Sequence, residues 1–242
     1  MLKSLTTVFL CFTLLGCSDN NSPENTPDNK SANTPTNNVD SSLSNNATPS
    51  TYTEGVHYTL LEDPINYTSK DIIVTEFFWY GCSHCAKFEP LIQQWNTTKP
   101  AGVSLIQSPA VWNNIMSLHA KAFFLAQSVE DTEKLHRQLF HVIMRLSKQK
   151  EFNQHYSVLA TVFNAFGVSK EEFDTQLNSF KTKSQLKKAL KHMKQAALKG
   201  TPMLVVNGKY AIINQSVTKP AELMDVVDFL IAKEQAAVTE AF

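Results

Sequence analysis

A nearly continuous apolar run at residues 72–80 predicts a buried strand, and the segment after it predicts a helix. The run reads Ile-Ile-Val-Thr-Glu-Phe-Phe-Trp-Tyr, and this density of β-branched and aromatic residues is typical of a strand covered on both faces. Residues 86–95 instead place apolar side chains at helical spacing, namely Phe88, Leu91, Ile92 and Trp95. Pro90 falls inside this helix and is expected to kink it. A second short strand is predicted at 103–106.

From residue 111 to residue 198 the apolar period is helical throughout. One stripe consists of Leu135, Leu139, Val142, Ile143 and Leu146, and another of Phe152, Tyr156, Leu159, Phe163 and Phe166. Gly167 stands where a helix end favours a left-handed residue, and residues 169–172 fit a capping box. The pattern therefore predicts an all-helical block inserted between strands.

After this block, Asn207-Gly208 predicts a tight hairpin between strands at 203–206 and 209–212, because a type I′ turn needs positive φ at both central positions. Pro220 suits the first turn of a last helix. The order β–α–β, helices, β–β–α indicates an α/β protein with a thioredoxin fold and an inserted all-helical domain. We assign residues 52–110 and 199–235 to the thioredoxin domain, 111–198 to the insertion and 236–242 to a C-terminal tail.

The N-terminal segment is expected to be a targeting sequence rather than part of the fold. Its apolar stretch is too short to span a bilayer, and it ends in Leu-Leu-Gly before Cys17, which resembles the lipobox of bacterial lipoproteins. Residues 1–16 would then be a lipoprotein signal peptide and Cys17 the lipidated residue. The alternative is an ordinary secretory signal with a chance cysteine. Residues 17–51 are almost wholly polar and are predicted to form a disordered tether.

Charge gives little indication of a nucleic-acid partner. Twenty-two basic and 22 acidic residues leave a formal net charge of +0, so no nucleic acid is expected to bind. The locally basic stretch 181–199 is interpreted as a solvated helix face. What remains after residue 51 is long enough for one compact domain with a sizeable insertion.

Cysteine usage points to redox chemistry. Of four cysteines, Cys11 would leave with the signal and Cys17 would carry lipid, which leaves Cys82 and Cys85. The loop they close is too short for much entropic stabilisation, so a purely structural disulfide is the weaker alternative. A zinc site would need about two further ligands, yet there is no second CxxC, and His136 and His141 are separated on a helix face. No metal and no cofactor are therefore expected.

The position of the pair predicts unequal thiols. Cys82 lies where the strand passes into the helix, so unpaired N–H groups and the helix dipole favour its thiolate. His84 would add to this effect if it were protonated or donated a hydrogen bond. Glu76 lies within the apolar strand, where a carboxylate is costly; it either points to a polar edge or transfers a proton to Cys85.

Several motifs in the same order resemble DsbA-type thiol–disulfide oxidoreductases. They are Glu76-Phe77-Phe78, the Cys-x-His-Cys of residues 82–85, Phe88-Glu89, the helical insertion, Gly200-Thr201-Pro202 and residues 206–210. The resemblance implies that Cys82 is the exposed nucleophile and Cys85 the buried resolving thiol of a redox-active disulfide. It also implies that Glu76 is a buried acid beside them and Pro202 a cis proline.

Three positions depart from the family pattern. Ser83 stands where the best-known members have proline, Thr201 where many have valine, and Gln107 where some have a lysine that partners the buried acid. These differences leave the reaction class intact and affect the redox potential and the choice of substrate. Thr201 is included among the candidate catalytic residues because its hydroxyl can donate a hydrogen bond to a nearby sulfur.

The leading functional hypothesis is an oxidase that introduces disulfides into unfolded, cysteine-containing exported proteins. The resemblance implies reoxidation by a quinone-linked membrane oxidase of the DsbB type. We expect a monomer in the periplasm held to a membrane by the lipid, with the outer membrane weakly favoured. The alternatives are a reductase or isomerase, and a tethered chaperone. Trp79, Tyr80 and Met203 are the candidate substrate-binding residues.

Overall fold

The computed structural model describes residues 52–239; the predicted signal peptide 1–16, the tether 17–51 with Cys17, and residues 240–242 lie outside this range. The strands are β1 Tyr58–Leu60, β2 Ile72–Phe78, β3 Val103–Pro109, β4 Met203–Val206 and β5 Tyr210–Ile212. The helices are α1 Ser83–Thr98, α2 Asn114–Ala126, α3 Thr132–Leu146, α4 Phe152–Ala165, α5 Lys170–Leu177, α6 Phe180–Gln195 and α7 Pro220–Thr239, with a 3-10 turn at Asn214–Ser216.

The strands form one mixed sheet in the order β1-β5-β4-β2-β3. β2 pairs in parallel with β3 and antiparallel with β4, while β5 pairs antiparallel with β4 and β1. β2 is therefore an interior strand, and Val74, Phe77 and Phe78 on it are fully buried. This confirms the thioredoxin fold with a helical insertion, since α2 to α6 all lie between β3 and β4.

The turn signals in the sequence take the predicted conformations. Asn207 and Gly208 have φ of 50° and 64° in the β4–β5 turn. Gly208 is required for a second reason, because a Cβ there would come within 2.0 Å of the Ile65 carbonyl oxygen. Gly167 has φ of 84° after α4, and the Ser169 hydroxyl accepts a hydrogen bond from the Glu172 N–H at the start of α5.

Several elements differ from the sequence prediction, and β3 is one of them, since it continues to Pro109 instead of ending at residue 106. β2 ends at Phe78, so that Trp79 and Tyr80 belong to the segment leading into α1. The edge strand β1 was not predicted, because it is three residues long and two of them are exposed. α7 continues to Thr239, so the tail assigned from residue 236 is at least partly helical.

Two further features concern the proline inside α1 and the membrane. α1 continues past Pro90 without ending, and the kink there stays a prediction. Among the helices of residues 52–239, none combines the length and the apolar character needed to cross a membrane.

Candidate active site

Cys82 and Cys85 occupy the first turn of α1, and both are free thiols. Cys82 is the N-cap residue, with extended backbone angles (φ −93°, ψ 117°), and its sulfur accepts a hydrogen bond from the Cys85 N–H at 3.5 Å. The first turn of α1 contains no acidic residue. Cys82 is partly exposed, whereas Cys85 is fully buried. A substrate sulfur can thus reach Cys82 and not Cys85.

Hydrogen bonding makes the two thiols unequal. The pKa of Cys82 is lowered to about 5, chiefly because the Cys85 thiol donates a hydrogen bond to its sulfur; burial opposes the shift, and the Thr201 side chain and the N–H groups of Cys85 and His84 add to it. The same thiol–thiolate hydrogen bond, together with burial, raises the pKa of Cys85 well above its usual range. At neutral pH the reduced site therefore holds a thiolate at Cys82 and a thiol at Cys85.

His84 contributes to this site through its backbone. Its side chain is exposed and Ser83 beside it is exposed as well, whereas the His84 N–H is one of the groups that lower the Cys82 pKa. The sequence prediction assigned the lowered Cys82 pKa chiefly to the N–H groups at the helix start, and the addition expected from the imidazole stays a prediction. Position at the helix N-terminus is enough to explain the backbone contribution, because the first N–H groups of a helix have no partner within it.

Glu76 is buried in the middle of the sheet, so the alternative of an edge carboxylate is wrong. Its exposed fraction is 0%, and it lies opposite Gln107 in the parallel β2–β3 register. The Gln107 amide donates a hydrogen bond to Glu76 Oε2 at 2.8 Å, while Oε1 is buried without a partner among the described residues. Burial raises the pKa of Glu76 to about 8, repulsion from Glu89 and Cys82 adds to the shift, and the Gln107 hydrogen bond opposes it.

The structure adds two residues that the sequence did not single out as functional. Glu89 on α1 and His136 on α3 are 7% and 8% exposed, and His136 Nε2 lies 3.1 Å from Glu89 Oε1. The Gln107 amide that bonds Glu76 also donates to Glu89 Oε2 at 2.9 Å. Two signals were available for Glu89: it belongs to the Phe88-Glu89 motif of the family resemblance, and it follows Cys85 by four residues, which places both on the buried face of α1.

Thr201 and Pro202 lie beside the thiols, and the peptide bond between them is cis as predicted. The Cys82 sulfur lies 3.3 Å from the Thr201 backbone carbonyl oxygen, to which it can donate a hydrogen bond only while it is protonated. Thr201, Pro202 and Met203 line a cleft of about 720 Å³ that extends along the β1 and β5 edge of the sheet. Thr201 links this cleft to the Cys82 sulfur, which lies 3.3 Å from its carbonyl oxygen.

Trp79 and Tyr80 have different surroundings. Trp79 is partly buried and packs at the edge of the same apolar cluster as Met203, and its indole N–H donates to His119 Nδ1 at 3.1 Å. Tyr80 is 1% exposed and its hydroxyl hydrogen-bonds to His136 Nδ1 at 2.7 Å. Tyr80 is therefore part of the interior and does not present a surface to a substrate, which corrects the sequence prediction for this residue.

A search of residues 52–239 for clusters of three or more His, Cys, Asp or Glu side chains suited to a metal ion finds none. His136 is buried against Glu89, while His141 is exposed. The groups gathered at the site are instead two thiols, a carboxyl with a raised pKa and a cis proline. This set can exchange a disulfide with another thiol and move one proton.

Known proteins with this arrangement were found in three comparisons. The family described as a DSBA-like thioredoxin domain matches residues 102–225. The Thiol:disulfide interchange protein DsbA of Pseudomonas aeruginosa is 35% identical over 192 residues, covering 79% of this chain and 90% of that protein. The protein of the same name from Azotobacter vinelandii is 33% identical, covering 69% and 76%. The crystal structure of Pseudomonas aeruginosa DsbA superimposes with a TM-score of 0.69 at 34% identity, covering 78% of this chain and 97% of that one.

Proposed function

Because this chain belongs to the DsbA family of thiol:disulfide oxidoreductases, we propose that it oxidises exported polypeptides through the Cys82–Cys85 disulfide. The observation that favours oxidation of the substrate over its reduction is the stabilised Cys82 thiolate. Whatever stabilises the thiolate stabilises the reduced form of the protein, and a stable reduced form makes the disulfide a strong oxidant.

The reaction follows from the exposure of the two sulfurs. A substrate thiolate attacks Cys82, the Cys82–Cys85 bond breaks, and the Cys85 sulfur leaves with the electron pair. A second substrate thiolate then attacks the substrate sulfur of the mixed disulfide, and Cys82 leaves as a thiolate. The substrate loses two electrons and gains a disulfide, while the protein is left with a Cys82 thiolate and a Cys85 thiol.

Glu76 is the group that supplies the proton to Cys85. A carboxyl with a pKa of about 8 is largely protonated at neutral pH, so it can protonate the Cys85 thiolate as that sulfur leaves. Its unpartnered Oε1 is the atom free to carry the proton, because Oε2 already accepts from Gln107. Thr201 and Pro202 position the substrate strand, and Thr201 tunes the thiolate; Trp79 and Met203 extend the contact surface.

The proposal extends to the location of the protein, its substrates and its redox partner. The segment before Cys17 and the polar stretch after it support a lipoprotein held to a membrane in the periplasm. Ser18 follows Cys17 in place of the aspartate associated with inner-membrane retention in some bacteria, which favours the outer membrane. We expect the protein to act as a monomer. Unfolded cysteine-containing proteins are the substrates. A quinone-linked membrane oxidase of the DsbB type returns the reduced protein to the disulfide form.

An assay of disulfide formation in a reduced, unfolded model protein tests the function. The oxidised full chain should consume two substrate thiols per molecule, and Cys82→Ser and Cys85→Ser should form no substrate disulfides. Preferential reduction of a disulfide substrate by the reduced chain would favour the reductase or isomerase alternative. Suppression of aggregation that survives in Cys82→Ser, without thiol loss, would favour the chaperone.

A further inference from the structure

Two buried carboxyl groups share one amide donor next to the redox pair. Gln107 Nε2 lies 2.8 Å from Glu76 Oε2 and 2.9 Å from Glu89 Oε2. The Gln93 amide also donates to Glu89, at 2.8 Å. Two carboxylates so close in a buried site repel each other, so the site favours one charge and one proton. Gln107 is neutral and hydrogen-bonds to both, so it does not decide which carboxyl is ionised.

His136 makes the two carboxyl groups unequal, because it favours the ionised form of Glu89. It lies 3.1 Å from Glu89 Oε1, and within residues 52–239 it is the one basic side chain paired with either carboxyl. Burial alone would raise the pKa of Glu89, but the adjacent His136 imidazole, with the amides of Gln93 and Gln107, holds it below its usual value. The ionised Glu89 in turn raises the pKa of Glu76.

The imidazole of His136 is held by one hydrogen bond and three aromatic contacts. Tyr80 hydrogen-bonds to Nδ1 at 2.7 Å, which directs Nε2 toward Glu89. Phe78, Phe123 and Phe140 pack edge-on against the ring. An open cleft of about 900 Å³ lies between α1 and α3, and His136 and Glu89 line part of it. The other ionisable groups near the imidazole are exposed residues of α3 that also line this cleft, namely Glu133, Arg137, His141 and Arg145.

We propose that His136 is a positioning residue of the redox site, which keeps Glu89 ionised and thereby leaves the transferable proton on Glu76. His136 does not touch the sulfurs; it acts through Glu89 and Gln107. The inference rests on the proposed role of Glu76 as the proton donor to Cys85.

The test follows the protonation of Glu76 by carbon-13 NMR of the reduced full chain, with the side-chain carboxyl signal assigned through its loss in Glu76→Gln. In the parent protein Glu76 should titrate near pH 8. In His136→Phe, which keeps an aromatic ring, Glu89 takes up a proton and Glu76 should titrate at lower pH. Glu89→Gln should lower the Glu76 midpoint in the same way, and combining both changes should lower it no further.

His141→Phe is the matched control, because His141 lies on the same helix and in the same cleft but is exposed. An unchanged Glu76 midpoint in folded His136→Phe, or an equal shift in His141→Phe, overturns the inference. If His136→Phe does not fold, the Glu89→Gln variant tests the inference instead. An unchanged Glu76 midpoint in Glu89→Gln would overturn it as well.

A kinetic measurement separates this inference from the proposed function. The single-turnover rate of disulfide transfer at pH 7 should fall in His136→Phe by up to roughly 10²-fold, the lower limit of what a positioned proton donor contributes. At a pH low enough to protonate Glu76 in both proteins, the two rates should agree. A parent protein that transfers no disulfide refutes the proposed function, whereas the Glu76 titration still decides the role of His136.

Discussion

The two cysteines of this site differ in chemistry because of where one helical turn places them. Cys82 is the N-cap and receives hydrogen bonds, whereas Cys85 lies inside the first turn, buried, and donates one. The sequence is enough to predict this difference, because the end of a strand and the start of a helix can be identified around a CxxC. The value of each pKa depends on partners, such as Thr201, that lie far away in the chain.

Glu76→Gln should stabilise the reduced protein at alkaline pH and slow its reaction. The pKa of Glu76 is about 8 in the fold against an ordinary value of 4.5, so the unfolded chain gives up this proton more readily. Stability contributed by this group is therefore lost as pH rises from about 4.5 to about 8, at roughly 1.4 kcal/mol per unit. Denaturant unfolding across this range should show a shallower pH dependence for Glu76→Gln.

Glu133→Gln is the control for this prediction, because the Glu133 side chain is 90% exposed and forms an ion pair only with an exposed arginine among residues 52–239. Its unfolding curve should follow the parent protein at every pH. Parallel pH profiles for Glu76→Gln and the parent would mean that Glu76 is already ionised in the fold, and the role of proton donor would be lost.

At the residue scale, what the sequence could predict depended on local signals. Cys82, Cys85 and Glu76 were found because each stands out within its own strand or helix, and Pro202 because of the family motif. His136 could not be assigned to the site, since its partners Glu89 and Tyr80 are 47 and 56 residues away and meet it only after α3 packs against α1. The role of Tyr80 was wrong for the same reason.

At the scale of elements, periodicity predicted those segments that bury a continuous face. β2, α1, α3, α4 and the β4–β5 hairpin were all indicated by apolar spacing or turn residues. β1 was missed because its three residues form a strand only through pairing with β5. α7 was cut short because residues 235–237 are exposed, so the apolar stripe ends before the helix does.

At the scale of the whole molecule, the proposed anchor sets where the chemistry takes place. A flexible tether of 17–51 would have a root-mean-square span of roughly 30 Å, so it would keep the redox domain near the membrane and free to turn. Cys17→Ser should release the protein from the membrane fraction or block its processing, because the lipid is attached to that sulfur. Normal cleavage with retention at the membrane would contradict the anchor.

The measurement that tests the central claim most directly is the redox potential of the Cys82–Cys85 couple, determined by equilibrating the full chain with glutathione buffers. Because the reduced site stabilises a Cys82 thiolate, the couple should lie well above the glutathione pool of about −220 to −260 mV, so that the chain is mostly reduced in such a buffer. A potential below about −300 mV, typical of structural disulfides, would contradict the account.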